Sequence, residues 1–331
     1  MLLNLLTSIS RIAAALIVIL GLLWLLLARP SISFKDASKA SPQLVDQPAL
    51  KKHILMLSEE LAPRDYTHPD NLNKVANYIA DSLRSSGARV SEQLFEVDGV
   101  EYKNIIGEYG PPDQEIIVIG AHYDAKGEFP GADDNASGVA GLLEIGRLLA
   151  EKELKTRIAL VAFTLEEPPF FRSDNMGSAV YARSLAETGA AVKLMIALEM
   201  IGYYSEAKGS QDYPMLLLNL YYPRIGNYIA VVDKMLSTQA QRMKTAMAQV
   251  IDLPVYSINA PTFIPGVDFS DHLNFWRYGY PAVMVTDTAF YRNRAYHSEA
   301  DTAARLDYGK MAQVVYGVFD YVLKLSDEIE K

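Results

Sequence analysis

Cysteine is absent from the 331 residues. That one absence excludes disulfides, thiolate metal sites and a cysteine nucleophile together, and it leaves the redox compartment open. A metal would have to rest on histidine and carboxylates, and histidine is scarce, with five in the chain. Basic blocks are missing too: the formal charge is -9, and no cluster of Lys and Arg offers a surface to phosphates, which argues against nucleic-acid partners. A direct search finds no GxSxG elbow, no GxxxxGKS/T loop, no GxGxxG turn and no HExxH helix. The usual signatures of serine hydrolases, nucleotide binders and zincins are therefore lacking. No internal repeat or low-complexity tract is present.

What the chain has in quantity is apolar residues, half of the total, enough to bury a large core within one large α/β domain. Its first feature is the run IAAALIVILGLLWLLLA from Ile12 to Ala28, free of charge and closed by Arg11 and Arg29. As a helix at ~1.5 Å per residue it covers ~25 Å, near the lower limit for a bilayer core. A buried core helix, a cleaved signal peptide and an uncleaved anchor compete for it. Apolarity on every face, and the polar tether of residues 30–47 behind it, favour an N-terminal transmembrane signal anchor over 1–29. Arg11 ahead of the run then leaves the N-terminus in the cytoplasm. The protein is expected to be membrane-anchored through 12–28, with its large domain, 48–331, extracytoplasmic, in a bacterial periplasm or at the cell exterior.

Beyond the tether, helix, strand and turn alternate. Leu72, Val75, Ala76, Ile79 and Leu83 form one apolar stripe that stops at Gly87, the pattern of a packing helix. Strand patterns follow over 88–97 and 102–109. Four apolar runs, 116–122, 157–164, 193–200 and 281–288, read as strands covered on both faces. Val139, Leu142, Leu143, Gly146 and Leu149 stripe a helix between the first two, and Met311, Val314, Val315, Val318 and Val322 stripe the last one. The predicted fold is α/β, a mostly parallel mixed central sheet with helices on both faces. The middle section, 203–265, shows helical patterns near 228–247 and no recognisable chemistry; such insertions usually shape specificity.

Each buried strand leads into polar residues: His122 and Asp124, then Glu166 and Glu167, then Glu199, with His297 a few residues past the fourth. Ligands of open α/β sheets collect at these carboxyl ends. Three carboxylates and two histidines, one carboxylate shared, fit two zinc ions. The spacing of HYD puts His122 and Asp124 on one side of an extended segment, where the acid can orient the imidazole. In the pair Glu166-Glu167 one side chain can bind metal while its neighbour accepts a proton from water. Each motif also has a plainer reading. The acid pair before Pro168-Pro169 suits a solvated turn, and GADDNASG suits a turn and helix cap. His53 and His68 read as surface residues. Joint placement at the strand ends is what outweighs the plainer readings.

HYD, GADDNASG, the EE pair, LEMIG, FSDH and YHSEADT, in that order and spacing, resemble the bacterial zinc aminopeptidases of metallopeptidase family twenty-eight, which also holds the glutaminyl cyclases. The resemblance runs from about Leu50 to the last helix. It implies that His122 and Glu199 bind one zinc, that Glu167 and His297 bind a second, and that Asp134 bridges both through a cis bond to Asn135. Asp133 is not counted as a ligand. Glu166 is implied as the general base; Asp124, placed by the HYD spacing to orient His122, is counted with it as catalytic. Many relatives carry Asp where this chain has Glu199. His272 is implied beside the substrate pocket, with a capping role in the short helix at 271–276 as the alternative. Tyr291, Arg292 and Tyr296 are placed on a loop that could wall the same pocket. The implied activity is hydrolysis of the N-terminal bond of peptides with a free N-terminus, using two zinc ions per chain. The alternatives are a glutaminyl-peptide cyclotransferase with a single zinc, and a non-catalytic receptor or scaffold. The last would predict lost ligands, whereas every expected position carries a metal-competent side chain.

Overall fold

The structure, a computed structural model, describes residues 2–23, 42–112 and 115–328. Helix α1, Leu2–Leu23, includes the first 12 residues of the apolar run. Its other half holds Asn4, Thr7, Ser8, Ser10 and Arg11. Among the described residues no helix is long and apolar enough to cross a membrane. This corrects the expected transmembrane anchor over 12–28, and the membrane-anchored, extracytoplasmic placement that rested on it has no support. The rest of the run and residues 30–41 of the expected tether lie outside the described residues. Asp46 caps α2, Gln47–Leu55, by accepting from the amide of Ala49 at 3.0 Å, and its own amide donates to Glu144 at 2.7 Å.

Eight strands make one sheet: β1 Arg89–Val97, β2 Val100–Tyr109, β3 Ile116–His122, β4 Arg157–Phe163, β5 Val192–Glu199, β6 Ile229–Lys234, β7 Val255–Ala260 and β8 Ala282–Thr286. Their order is β1-β2-β4-β3-β5-β8-β6-β7. The four apolar runs form the centre, β4-β3-β5-β8, all mutually parallel, as strands buried on both faces require. Antiparallel pairings join β2 to β4 and β6 to β8. The expected mixed, mostly parallel sheet is therefore present. Residues 229–234, however, are strand where a helical pattern was expected, and the helix α6 starts later, at Gln239–Val250. A six-residue apolar run is too short for its period to separate strand from helix.

Side-chain parity divides the core into two layers. Ile117, Ile119 and Ala121 of β3, with Leu194, Ile196 and Leu198 of β5, pack into the larger layer. That layer also holds α2, α3 (Pro69–Ser85), α4 (Gly138–Leu149), α6 and α8 (Tyr308–Asp327). Ile79 and Leu83 of α3 are wholly buried there, and each such side chain stabilises the fold by about 1.5–3 kcal/mol. Ile116, Val118, Met195 and Ala197 face the smaller layer, under α5 (Gly177–Glu187) and α7 (His272–Arg277). Gly120 lies on this second face because the Phe163 ring lies across it: a Cβ there would come within 2.3 Å of that ring. Gly120→Ala would have to displace the aromatic cluster of Phe163, Tyr181 and Phe275. By the same parity His122 and Glu199, at the last positions of β3 and β5, extend the smaller layer's face beyond its apolar part.

Candidate metal centre

The parallel register sets Gly120 beside Ala197, so His122 and Glu199, two residues on, end level on adjacent strands. His122 Nε2 lies 3.4 Å from Glu199 Oε2 and 3.4 Å from Asp134 Oδ1. On the other side of Asp134, His297 Nε2 is 3.1 Å from its Oδ2 and 3.1 Å from Glu167 Oε2. Two triads result, His122–Asp134–Glu199 and Asp134–Glu167–His297, with Asp134 in both. Donors bound about 2.0–2.1 Å from a tetrahedral zinc lie about 3.3 Å from one another, so these separations suit a cation at each triad. His122 Nε2 and Glu167 Oε1 are buried without a hydrogen-bond partner, an expensive state unless a cation completes it.

Backbone and carboxylate contacts fix the ligands. Asp301 accepts from the amides of Asp133 at 3.1 Å and Asp134 at 3.1 Å. Asn135 accepts from the amides of Gly138 and Met200 and donates to the Leu198 carbonyl, which ties the Asp134 loop to the end of β5. The Asp134-Asn135 bond is cis, as the motif implied. Ser270 donates to Glu199 Oε2 at 2.7 Å. Asp124 accepts from the amides of Glu166 at 3.2 Å and Glu167 at 3.1 Å, so its carboxylate chiefly aims the acid pair. His122 Nδ1 is nearer the Asp124 carbonyl, at 3.1 Å, than its carboxylate, at 3.6 Å, and a Nδ1–H donated to that carbonyl leaves Nε2 bare for a metal.

Burial pushes the carboxyls of Glu166 and Glu199 above their ordinary range, with like charges adding and His122 opposing. Burial beside Asp134 raises Glu167 to about 7. Asp134 itself is held low, because bonds from His122 and His297 outweigh its burial. Burial works against the charge on His297, yet contacts with Asp134 and Glu167 raise it to about 9. A divalent cation would displace the protons that this cluster shares.

The remaining residues singled out by sequence fall in two places. Tyr291 and Tyr296 line a cavity of about 310 Å³ that opens onto Asp134, Glu166, Glu167, Glu199 and His297. The Tyr296 ring stacks on His297 with centroids 3.7 Å apart. His272 and Arg292 do not line that cavity. His272 is fully buried, donates from Nε2 to the Val267 carbonyl at 2.9 Å and sits edge-on to Trp276. Arg292 is buried against Tyr228 and bonds Gln211 and the Tyr228 carbonyl. The cavity walls hold Phe171, Tyr213, Leu218, Val232, Ile258 and Met284. Sequence reasoning passed over Asp301, Asn135, Ser270 and Arg64; the first three lie inside quoted motifs, and Arg64 carries no pattern.

An α/β sheet with paired imidazole–carboxylate triads at its carboxyl edge, beside a cavity, defines a metallohydrolase. Residues 104–322 match the profile described as Peptidase family M28. The chain belongs to this family, and the enzyme class implied by its motifs, a metallo-aminopeptidase hydrolase, stands with it. Its sequence is 52% identical over 292 residues, 86% of this chain and 90% of the relative, to the Uncharacterized protein YfbL of Escherichia coli (strain K12). Among solved structures it is similar to BSAP, a zinc aminopeptidase from Bacillus subtilis, with TM-score 0.68 and 16% identity over 85% of this chain and 95% of that one. It is also similar to Porphyromonas gingivalis glutaminyl cyclase, with TM-score 0.62 and 22% identity over 84% and 98%. At such identities the likeness shows the fold.

Proposed function

We propose that the protein is an aminopeptidase that hydrolyses the N-terminal bond of peptides with two zinc ions. The observation that carries this reading is the sharing of Asp134 between two triads whose donors stand 3.1–3.4 Å apart. His122 and Glu199 would hold one ion, Glu167 and His297 the other. Zinc bound there would supply Lewis-acid polarisation of the scissile carbonyl and a more acidic attacking water. Glu166, aimed by Asp124 through its amide, accepts the proton of that water on a carboxylate oxygen and returns it to the departing amine nitrogen. In the metal-free protein burial raises its proton affinity, with Glu199 and Glu167 adding and His122 opposing. The apolar cavity beside the triads receives the side chain of the N-terminal residue, which points to large apolar residues there.

Metal content of the purified protein, measured together with turnover of a leucyl anilide and of a glutaminyl peptide, tests the reading. Two zinc ions per chain with anilide hydrolysis is the expected result. One zinc with cyclisation of the glutaminyl peptide would make it a cyclotransferase instead, and neither metal nor turnover would leave a scaffold.

A further inference from the structure

We propose that Arg64 is a positioning residue for the metal centre: its guanidinium fixes the His122 turn and the Asp134 loop relative to each other. The side chain is wholly buried. Its donors reach five acceptors, all backbone carbonyls. Nε donates to Tyr123 at 3.0 Å, Nη1 to Leu57 at 3.2 Å and to Pro130, and Nη2 to Gly131 at 2.5 Å and Asp134 at 3.4 Å. Tyr123 lies between His122 and Asp124, and Pro130 to Asp134 is the loop that ends in the shared carboxylate. The Arg64 carbonyl in turn accepts from the amide of Ala125 at 3.1 Å. The segment at Arg64 thus holds both ligand-bearing segments.

Two further features separate this from filling of space. Every direct hydrogen bond of the guanidinium goes to a backbone carbonyl, while Asp134, Asp301, Asp124 and Glu167 favour its charge from further off; serving all five carbonyls needs the donors of a planar fork. Gly131 is shaped to admit it: at φ +55, an added Cβ would lie 2.8 Å from Arg64 Nη2 and 2.2 Å from the Asp134 carbonyl. The separation of His122 Nε2 from Asp134 Oδ1 depends on how these two segments sit, and Arg64 is bonded to both. Lysine would keep the charge but offers its donors from a single atom, which does not span Tyr123 and Gly131 together.

The inference rests on the reading of the triads as zinc sites. Its test is calorimetric titration of the metal-free full chain with zinc, for the wild type, Arg64→Lys and Arg64→Gln, with a thermal melt of each. Ile79→Ala, in the α3 core away from the site, serves as a destabilised control. Both Arg64 variants are expected to bind zinc about 10–100-fold more weakly, while Ile79→Ala binds as the wild type does despite a lower Tm. Unchanged affinity in the Arg64 variants, or an equal loss in Ile79→Ala, would overturn the proposal. A wild type that takes up no zinc would overturn it along with the metal reading, a result distinct from either. Should neither Arg64 variant fold, Arg64→Met, which keeps most of the side chain's length without a charge to bury, takes their place with the same outcomes.

Discussion

Acids and imidazoles crowd one side of the cavity, and each is tied down: Glu199 by Ser270, the Asp134 loop by Asp301 and Asn135, the acid pair by Asp124. The opposite side is made of Phe171, Tyr213, Leu218, Val232, Ile258 and Met284. Polar groups buried near charge have one acceptable arrangement, because every unpaired donor or acceptor costs about 1–3 kcal/mol. Apolar walls have many, since volume-conserving exchanges usually cost under ~1.5 kcal/mol. On the proposed reading the chemistry is therefore set by geometry that tolerates little change, and the selectivity by a surface that tolerates much.

The comparison breaks most readily at Glu166. Glu166→Gln keeps the size of the side chain and leaves both triads intact, so zinc content should not change. Removing the proposed base should lower kcat about 10²–10⁴-fold with KM nearly constant. Turnover equal to the wild type would assign the proton transfer to another group.

The same contrast decides what could be read from sequence. His122, Glu167, Glu199 and His297 were legible because a histidine or acid at or soon after the end of an apolar strand has little packing reason to be there, whereas Asp134 came only from the resemblance of GADDNASG to the family's motif; the structure brings all five together. The central strands were legible for a related reason, as each is a continuous apolar run. The cavity wall was not: Leu218, Val232, Ile258 and Met284 have the composition of any core residue, and only tertiary contact gives them a lumen to face. Strands β6 and β7 were missed with them. Asp301 stood inside a recognised motif, yet its bonds run to amides more than 160 residues away, which no local spacing encodes. Arg64 sits in a Pro-Arg-Asp-Tyr turn where nothing marks it as buried. At the N-terminus the expected transmembrane anchor has no support, since among the described residues no helix is long and apolar enough to cross a membrane.

The seam between the two sides is α7. Ser270, just before it, bonds Glu199, while His272 in its first turn bonds the carbonyl of the cavity residue Val267. Burial lowers His272 to about 4, against about 6.5 for a free imidazole. The unfolded chain therefore binds this proton between pH 6.5 and 4 and the folded chain does not. Stability is fully present above pH 6.5 and falls as pH drops toward 4, by up to about 3 kcal/mol from this residue. Urea unfolding of the metal-free protein at pH 7 and pH 4 should show a smaller acid loss in His272→Gln than in the wild type. Equal losses would remove His272 from the titration.

The smallest effect is expected at the apolar wall, and it sharpens the contrast most. Ile258 projects from β7 toward the cavity and is only partly buried, so added bulk enters the lumen with little disturbance of the core. Ile258→Trp should lower kcat/KM for leucyl and phenylalanyl anilides about 10–200-fold, the range for misfit in an apolar pocket, chiefly through KM. An alanyl anilide, which needs less of the cavity, should lose much less, and zinc affinity should stay as it is because none of the triad contacts involves β7. If all three substrates fell equally through kcat, the wall would be coupled to the metal side. The separation of selectivity from chemistry would then fail at the residue where it is easiest to see.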